Sequence, residues 1–400
     1  MEIAVFEDTA VENFGPLTLT RPAYKLLCGT TTLLEKINQH LAMGTSPYLY
    51  TRDHLAPVLR EQHPHNPVNE PPTDNLLLVN GLLVVDIDIA SRIKGLDQNT
   101  ALVKDGRVAA ARLKKERVEK IANLLKGGEI PYSLFDRVEE AAHLKLLRYP
   151  WEIVYLGPTL IGSEAHGKLY RSENVRGNVF VKDGVEVEGN VVLDGRGGPV
   201  VLDNNVHVEA FTKLVGPCYV GEDTIVVSGS VVSRSCIGPV CRVGGEVENT
   251  VILGYSNKRH YGFLGHSLVG EWVNMGAGTT VSNLKNTYGT VRVSVGGRRT
   301  DTGLQFLGSF FGDHVKSSIG CMVSGGHNIG VSSHLYGDVS EDVPSFTIYR
   351  PGEKKELLLS SALETAKRMM SRRGITPSEQ YLRMLEEVFR ITRPSRASLL

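Results

Sequence analysis

Apolar residues recur at six-residue intervals through a long central part of the chain. In the stretch "HYGFLGHSLVGEWVNMGAGTTVSN", residues 260–283, Val269, Met275 and Val281 follow one another with this spacing. The period fits neither an α-helix nor a strand, which repeat every 3.6 and every two residues. It is typical of a hexapeptide β-helix, in which each unit forms one side of a triangular coil and points one apolar side chain inward.

The same spacing occurs on both sides of this stretch. The recurring positions are Val185 and Val191; Leu214, Val220 and Val226; Val231, Ile237 and Val243; and Val323, Ile329 and Leu335. An antiparallel β-sandwich is the alternative, but its strands alternate every two residues and turn every 8–12 residues or so. We therefore predict a parallel β-helix domain over residues 156–350.

The beginning of the chain follows a different pattern. "EIAVFE" and "NLLLVNGLLVVDIDI" are apolar, β-branched runs that suit buried parallel strands, whereas "TTTLLEKINQHLA" and "ARLKKERVEKIANLLKGG" carry apolar residues at helical spacing. Strands that alternate with helices indicate a parallel sheet covered on both faces. Residues 1–130 are thus predicted to form an α/β domain of the Rossmann type.

Helical segments are predicted on either side of the β-helix. "FDRVEEAAHLKLLR", residues 135–148, reads as a helix that Pro150 ends, within a linker of residues 131–155. Residues 351–400 form a charged helical tail. In that tail, Thr376 followed by Pro377 and Glu379 predicts a capping box at a helix start.

Charge and cysteine content narrow the class of protein. Lys plus Arg (44) equals Asp plus Glu (44), so no net field attracts nucleic acid or an anionic membrane. The five cysteines are scattered and lack the CxxC spacing of a zinc or redox site, which favours reduced, buried thiols. No apolar run is long enough to span a membrane, and the start of the chain is acidic. We expect a soluble, cytoplasmic protein of two or three domains.

The stretch that shows the repeat also carries a recognisable motif. His260, "FLG" at 263–265, "VNMGAG" at 273–278 and Asn283 follow one another with the spacing found in a family of acetyltransferases. The stretch resembles the acetyltransferase half of the bifunctional bacterial enzymes that acetylate glucosamine-1-phosphate and then uridylylate it. This resemblance implies a left-handed β-helix, acetyl-CoA as co-substrate, an amino-sugar phosphate as acceptor, and a homotrimer.

The resemblance also implies roles for individual residues. His260 would be the general base, because histidine has a suitable pKa for removing a proton from the sugar amine. Asn274 and Asn283 would hold the sugar and orient the site, and Arg242 and Lys258 would bind the phosphate. The alternative is that these residues have structural roles only. The histidine would then be a corner residue that hydrogen-bonds to backbone groups, the asparagines would be corner or stacking residues of the β-helix, and the basic side chains would be solvated.

Two neighbouring residues complete this comparison. Arg259 is a further candidate for phosphate binding. Phe263 stands where the family has a tyrosine, so a hydroxyl contact to the acceptor is missing.

The N-terminal "GPLTLTRPAYKLLCGTTTLLEKI" is similar to the start of sugar-1-phosphate nucleotidyltransferases. This similarity implies that Arg21 and Lys25 bind the phosphates of UTP or of a sugar phosphate. The family's glycine-rich loop is missing, because "FEDTAVENFG" contains only Gly15. Backbone amides that cradle a triphosphate need glycine for a close approach.

A metal site in this domain is predicted from two acidic residues. The family's metal-binding Gly-Asp reads here as Asn80-Gly81, which leaves Asp86 and Asp88 as candidate Mg²⁺ ligands. Magnesium prefers one or two carboxylates together with phosphate oxygens. Solvated turns are the alternative interpretation of such acids.

The predicted function is therefore an acetyl-CoA-dependent N-acetyltransferase on an amino-sugar phosphate, with or without a Mg²⁺-dependent uridylyltransferase. One alternative is a hexose-1-phosphate nucleotidyltransferase whose β-helix is structural, and another is a non-catalytic trimeric scaffold. A third is a γ-type carbonic anhydrase, which would need at least three converging zinc ligands. The histidines available to it are His260, His266, His314, His327 and His334.

Overall fold

The computed structural model describes residues 2–42, 44–72 and 74–399. An N-terminal α/β part is followed by a parallel β-helix and by a pair of C-terminal helices. Within these described ranges, no helix is both long enough and apolar enough to cross a membrane.

The N-terminal part contains a six-stranded mixed sheet. In spatial order its strands are Tyr48–Leu49, Glu2–Phe6, Leu76–Asn80, Arg107–Leu113, Thr100–Lys104 and Arg137–Glu140. The first three are parallel, as predicted, but Arg107–Leu113 runs antiparallel to both neighbours. The cause is the turn Asp105-Gly106, in which both residues have positive φ (49° and 77°) and form a tight hairpin. The predicted fully parallel sheet is therefore wrong.

Short helices surround this sheet. The α-helices are Leu33–Ile37, Ala56–Gln62, Ile87–Lys94 and Lys115–Glu119; the 3₁₀-helices are Thr9–Phe14, Leu17–Leu19, Ala23–Lys25 and Tyr132–Leu134; and Asn38–Ala42 is a π-helix. Thr32 and Glu35 form a capping box at the first of the α-helices. A two-stranded hairpin, Leu27–Cys28 with Thr31–Thr32, lies beside it.

Two helix predictions in this part are wrong. The predicted second helix covers residues 111–128, but its first three residues belong to the strand Arg107–Leu113, which is buried along most of its length, and only Lys115–Glu119 is α-helical. Within the predicted helix of residues 135–148, Arg137–Glu140 is an edge strand parallel to Thr100–Lys104. Its charged residues are mostly exposed, which gives the segment the polar positions that resembled a helical face.

Pro150 begins a helix and does not end one. The helix Pro150–Glu164 has this proline in its first turn, where a missing N–H is tolerated. Glu152 accepts a hydrogen bond from the backbone N–H of Tyr149 (3.0 Å) and so caps the helix start. The residues that were predicted to open the β-helix domain are thus part of a helix that leads into it.

The β-helix consists of three stacks of short parallel strands, which confirms the predicted fold. Face A contains Cys218–Val220, Cys236–Ile237, Val251–Gly254, Leu268–Glu271, Phe310–Phe311 and Asn328–Ile329. Face B contains Lys213–Val215, Val231–Ser233, Glu246–Glu248, Phe263–Gly265, Thr280–Val281, Met322–Val323 and Asp338–Val339. Face C contains Glu186–Val187, His207–Val208, Ile225–Val226, Arg242–Val243, Asn257–Lys258, Lys316–Ser317, His334–Leu335 and Thr347–Arg350.

Additional strands open, close and interrupt the stacks. Val192–Leu202 joins faces A and B at the first coil and pairs with Val175–Val181, which in turn pairs with Lys168–Leu169. Glu353–Glu356 pairs antiparallel with the last strand of face C. Between Leu284 and Phe306 the chain leaves the coil and forms the hairpin Arg292–Val295 with Arg298–Asp301.

The six-residue period marks the inward-pointing side chains. Leu214, Val220 and Val226 are completely buried in the interior of the β-helix. Val231 does not follow the pattern, because it is 41% exposed and its neighbour Val232 stacks on Leu214. Val232 lies six residues after Val226, whereas the next inward residue, Ile237, follows after only five, so the turn after Val232 is one residue shorter than the period assumes.

The N-terminal part and the β-helix share one hydrophobic core. The outward side chains of face A, including Cys236, Val251, Leu268 and Phe310, are buried against the helix Pro150–Glu164. Residues of the N-terminal part, such as Leu27 and Cys28, belong to the same cluster. One face of the triangular coil is therefore covered by the chain's own N-terminal part.

A buried ion pair connects the same two regions. The guanidinium of Arg21 forms two hydrogen bonds to the carboxylate of Asp313, at 2.9 and 2.7 Å. Asp313 also accepts from Thr20 Oγ1 (2.8 Å) and from the backbone N–H of Glu271 (2.8 Å). Arg21 is 7% exposed and Asp313 is 1% exposed, so both charges depend on each other for solvation.

The C-terminal helices Leu359–Ser371 and Glu379–Ile391 pack on an aromatic ladder of the β-helix. Tyr255, Trp272 and His314 occupy successive coils at one edge, each with φ between 53° and 61°. The rings of Tyr255 and Trp272 stack at 4.5 Å, and the His314 ring follows at 6.3 Å. Tyr381 Oη lies 2.8 Å from His314 Nε2, and it anchors the second helix to this ladder.

The start of this second helix corrects a sequence prediction. Ser378 is its N-cap and accepts a hydrogen bond from the backbone N–H of Tyr381 (3.1 Å). The predicted cap, Thr376, lies two residues earlier. Because Ser378 supplies the side-chain oxygen next to the helical run, Glu379 is the first helical residue and does not reach back as a capping-box partner. The last residues that the structure describes form the 3₁₀-helix Arg393–Leu399.

The ion pair between Arg21 and Asp313 should contribute measurably to stability. Arg21→Ala leaves a buried carboxylate without its cation, which typically costs about 3–5 kcal/mol. Urea unfolding followed by circular dichroism should show this loss. Arg92→Ala is the control, because it removes the exposed pair with Glu139 (2.7 Å) and should cost at most about 1 kcal/mol. Equal losses in the two variants would contradict a dominant role for the buried pair.

Candidate functional site

A cavity of about 380 Å³ lies on the edge where face C of the β-helix turns into face B. We call it the arginine pocket. Its polar side chains come from Arg242, Asn257, Arg259, His260, Asn274, Arg372 and Arg373. The pocket therefore combines one imidazole, two amides and four guanidinium groups.

Stacking of the coils brings three of the predicted residues together. Arg242 and Asn257 are in register on adjacent strands of face C, and Asn274 bridges to Asn257 in the next coil. The amide Nδ2 of Asn257 donates to Asn274 Oδ1 at 3.3 Å. His260 is exposed in the turn that follows Asn257–Lys258. Parallel stacking in register thus places Arg242, Asn274 and His260 around one cavity.

Lys258 does not line the arginine pocket, although it was predicted to bind phosphate there. It occupies an inward position in register with Val243 and is 2% exposed. Its Nζ donates to the backbone carbonyls of Gly244 (2.8 Å) and His260 (2.6 Å). Burial lowers the pKa of the Lys258 ammonium to about 8. Through its contact with the His260 carbonyl, Lys258 stabilises the turn that carries His260 from the interior of the β-helix.

Asn283 is also placed outside the pocket. It is buried in the turn between faces B and A, and its Nδ2 lies 2.9 Å from Nδ1 of His266. The His266 ring stacks on Phe306, with centroids 5.6 Å apart, and lies 5.7 Å from the ring of Tyr155. Burial lowers the pKa of His266. In a single chain, Asn283 and His260 therefore occupy different edges of the β-helix.

The predicted phosphate-binding residues of the N-terminal part face the β-helix. Arg21 is paired with Asp313, and its Nη2 also lies 3.1 Å from the carboxylate of Glu271. Lys25 Nζ lies 3.1 Å from His63 Nε2, and burial lowers the pKa of Lys25. Both basic residues line a cavity of about 220 Å³ that is also bounded by Glu271. Acidic groups of the β-helix therefore already pair with Arg21, the cation that was expected to bind a phosphate.

The carboxyl end of the strand Glu2–Phe6 is filled by ion pairs. Glu7 is buried against Arg52 (3.3 Å), and Asp8 is bound by both Arg107 Nε (2.8 Å) and Arg107 Nη2 (3.0 Å). Asn80 Nδ2 donates to Asp8 Oδ2 at 2.8 Å. Ligands of open α/β sheets bind at this end of the strands. The cavity there measures about 60 Å³, whereas ligand pockets typically measure about 300–1,000 Å³.

The predicted magnesium ligands have other surroundings. Asp86 is the N-cap of the helix Ile87–Lys94, and its Oδ1 accepts from the backbone N–H of Ile89 at 2.9 Å. Asp88 is exposed in the first turn of that helix. In the described part of the chain, no three His, Cys, Asp or Glu side chains gather as a metal site would require. In this structure Asp86 therefore caps the start of the helix, and Asp88 is an acidic residue of its first turn.

Arg372 and Arg373 were missed by the sequence analysis. They follow the helix Leu359–Ser371 directly, and Gly374, with φ of 69°, turns the chain after them. The only signal was the pair of arginines before a glycine at a helix end. Their distance from the motif in sequence concealed that the helix returns to the pocket.

Comparisons with known proteins agree with the predicted class of transferase. Residues 3–166 match a family model described as sugar nucleotidyl transferase. A bifunctional sugar-1-phosphate nucleotidylyltransferase/acetyltransferase from Sulfurisphaera tokodaii is 31% identical over 170 residues, covering 40% of this chain and 39% of the relative. The bifunctional protein GlmU from an Azoarcus species is 30% identical over 130 residues, which is 28% of each chain. These matches confirm the resemblance that the motifs indicated.

The matches are partial. The chain spans less than half the length of these curated relatives. Among solved structures, a hexapeptide transferase family protein from Anaplasma phagocytophilum aligns at 17% identity and a TM-score of 0.22, covering 56% of this chain and 97% of that chain. A UDP-N-acetylglucosamine acyltransferase from Campylobacter jejuni aligns at 14% identity and a TM-score of 0.15, covering 52% and 94%.

We expect the N-terminal part to bind UTP poorly. The carboxyl end of its sheet is filled, and Arg21 is already paired, so a triphosphate would have to displace buried ion pairs. Isothermal titration with UTP and Mg²⁺ should give a dissociation constant above about 1 mM, which corresponds to less than about 4 kcal/mol of binding free energy. Micromolar binding that Arg21→Ala abolishes would contradict this expectation and restore the sequence-based role of Arg21.

Proposed function

We propose that this chain is an acetyl-CoA-dependent transferase that acetylates the amino group of a sugar phosphate similar to glucosamine-1-phosphate. The observation that carries the proposal is the exposed imidazole of His260 in a pocket that also contains Asn274 and several arginines. The names of the curated relatives, which include an acetyltransferase activity, support the reaction class.

The pocket residues suit each step of acetyl transfer. The sugar amine attacks the thioester carbonyl, a C–N bond forms, the C–S bond breaks, and coenzyme A leaves as the thiol after it gains a proton. His260 would take the proton that the amine loses, since a neutral imidazole is an effective base near pH 7. Arg242 and Arg259 would hold the phosphate, because guanidinium groups bind phosphate oxygens through paired hydrogen bonds.

Uridylyl transfer is not part of this proposal. It would need a nucleotide site at the carboxyl end of the N-terminal sheet, and the ion pairs of Glu7 and Asp8 fill that end. This part of the chain matches the family model described as sugar nucleotidyl transferase. Its present contribution would be to cover face A of the β-helix.

Replacement of His260 tests the proposed base. His260→Ala should lower kcat for acetyl transfer by about 10²–10⁴-fold, the usual contribution of a positioned general base. The assay measures free thiol released from acetyl-CoA with glucosamine-1-phosphate as acceptor. His207→Ala is the matched control, because His207 lies on the same face and pairs with Glu188 (2.8 Å) away from the pocket. The control should retain activity within about twofold.

Two results would contradict the proposed function. Equal activity in His260→Ala and the wild type would show that His260 is not the general base. No thiol release from folded wild-type protein would favour the scaffold alternative. His266→Ala is unsuitable as a control, because the His266 ring is the partner of the buried Asn283 amide.

We also propose that the chain is a homotrimer. Large apolar side chains are exposed along the edge between faces B and C, next to the arginine pocket. They belong to Phe211, Tyr261, Ile319 and Tyr336. Exposed apolar side chains that line up in this way mark interaction surfaces, and a neighbouring coil packed there would enclose the pocket.

Light scattering tests the assembly. The wild type should have a mass of about 130 kDa, three times the 43.8 kDa of the chain. The double variant Tyr261→Asp with Ile319→Asp should shift the mass toward the monomer, because it places charges in the apolar edge. Tyr288→Asp, in the excursion between Leu284 and Phe306, is the control and should remain trimeric. A monomeric wild type at micromolar concentration would contradict the proposal.

A further inference from the structure

We infer that the C-terminal segment of this chain completes the arginine pocket as a phosphomonoester site, with Arg372 and Arg373 holding the phosphate against Arg242 and Arg259. This inference rests on the proposed function only for the identity of the ligand, because phosphate binding itself can be measured without catalysis. It assigns to the C-terminal helices a role in substrate recognition.

The position of Arg373 is fixed by its surroundings. The helix Leu359–Ser371 ends just before it, and its own backbone N–H bonds to the carbonyl of Met370 at 2.9 Å. Met369 and Met370 pack on Trp272 of the aromatic ladder. The guanidinium Nη2 donates to Asn257 Oδ1 at 2.6 Å, and Asn257 in turn donates to Asn274. Arg373 is thus tied to the outward ladder of face C that carries the proposed substrate-binding amide.

The positive charge of the pocket is not neutralised within the chain. Among the residues that the structure describes, no carboxylate oxygen lies within 4.0 Å of a guanidinium nitrogen of the four arginines, in contrast to the many paired arginines elsewhere. The residues that line the pocket include no aspartate or glutamate. Asp223 is the acidic residue next to Arg242, and its backbone carbonyl, at 2.9 Å, accepts from Arg242 Nη1.

Arg373 also has a hydrogen-bond donor to spare. Its Nε is buried and has no partner among the described residues. Burial lowers the pKa of Arg373, and the charges of Arg242, Arg372 and Arg259 lower it further. A buried donor without an acceptor and several cations that repel each other both cost free energy. An anion bound in the pocket would relieve the repulsion between these cations.

A phosphomonoester matches these requirements best. Its two negative charges and three terminal oxygens can accept hydrogen bonds from several guanidinium groups, whereas a carboxylate offers only two oxygens. Two ligands of the proposed reaction carry such a group. They are the sugar phosphate and coenzyme A, through the 3′-phosphate of its ribose.

Binding of inorganic phosphate tests the site itself. Arg373→Ala should raise the dissociation constant of phosphate, measured by isothermal titration, by at least about tenfold. Arg373→Lys should give a smaller increase, because it keeps the charge but loses the fork of donors. Arg368→Ala is the matched control, since Arg368 lies on the same helix, is exposed, and pairs with Glu364 at 3.1 Å. It should bind phosphate within about twofold of the wild type.

Steady-state kinetics identify which of the two ligands places its phosphate in the arginine pocket. If the sugar phosphate is bound here, Arg373→Ala should raise the KM for glucosamine-1-phosphate about tenfold more than the KM for glucosamine. If coenzyme A is bound here, the same contrast should appear between acetyl-CoA and 3′-dephospho-acetyl-CoA.

The outcomes separate this inference from the proposed function. Phosphate binding that is equal in the wild type, Arg373→Ala and Arg368→Ala would overturn the inference, provided that circular dichroism shows all three folded. Phosphate binding that depends on Arg373 in a protein without acetyl transfer would support the site and reject the proposed reaction.

Discussion

The buried pair of Arg21 and Asp313 is the interaction on which the arrangement of the chain depends. Neither charge could be buried alone, because the cost of removing an ion from water is recovered only by a well-formed partner. Arg21 therefore has to meet the β-helix, and with it the whole turn that leads to Lys25 faces the coil. The pair thus fixes where the N-terminal part sits and removes from it a cation that a nucleotide would need.

A second constraint comes from the β-helix itself. Each coil must pair its backbone with the coils above and below, so equivalent positions of successive coils lie in straight ladders. This geometry places Arg242, Asn257 and Asn274 in one outward row and the aromatic rings of Tyr255 and Trp272 in another. The first row lines the candidate site, and the second provides the surface on which the C-terminal helices rest. One repeat therefore serves two purposes at neighbouring positions of the coil.

The sequence predicts those features that follow from a local pattern. The six-residue period predicted the β-helix, and three of the residues singled out in the sequence, Arg242, His260 and Asn274, line one cavity in the structure. Prediction from the sequence failed where a neighbouring segment of the fold decides which structure a stretch adopts. Residues 135–148 carry helix-like spacing, yet an open sheet edge beside Thr100–Lys104 makes Arg137–Glu140 a strand. The shift from Val231 to Val232 depends on the length of one turn, which a fixed period cannot include.

The role of a charged residue is even harder to predict, because it is set by the partner that the fold provides. Lys258 stands next to the motif, yet the register of face C turns it inward, where backbone carbonyls bind its ammonium. Arg21 has the sequence surroundings of a phosphate binder and meets Asp313. The reverse holds for Arg373, which has no motif at all.

The difference between these arginines explains how the chain divides its chemistry. At the carboxyl end of the N-terminal sheet, the buried acidic side chains form ion pairs with arginines of the same chain, so these charges stabilise the fold. At the β-helix edge, four guanidinium groups converge without a carboxylate partner among the described residues. Such charge is stabilised by water or by a bound anion, and clustered charge in a cavity is a common feature of functional sites. Function in this molecule is therefore expected where the ion pairs are left open, on the β-helix edge that the C-terminal segment closes.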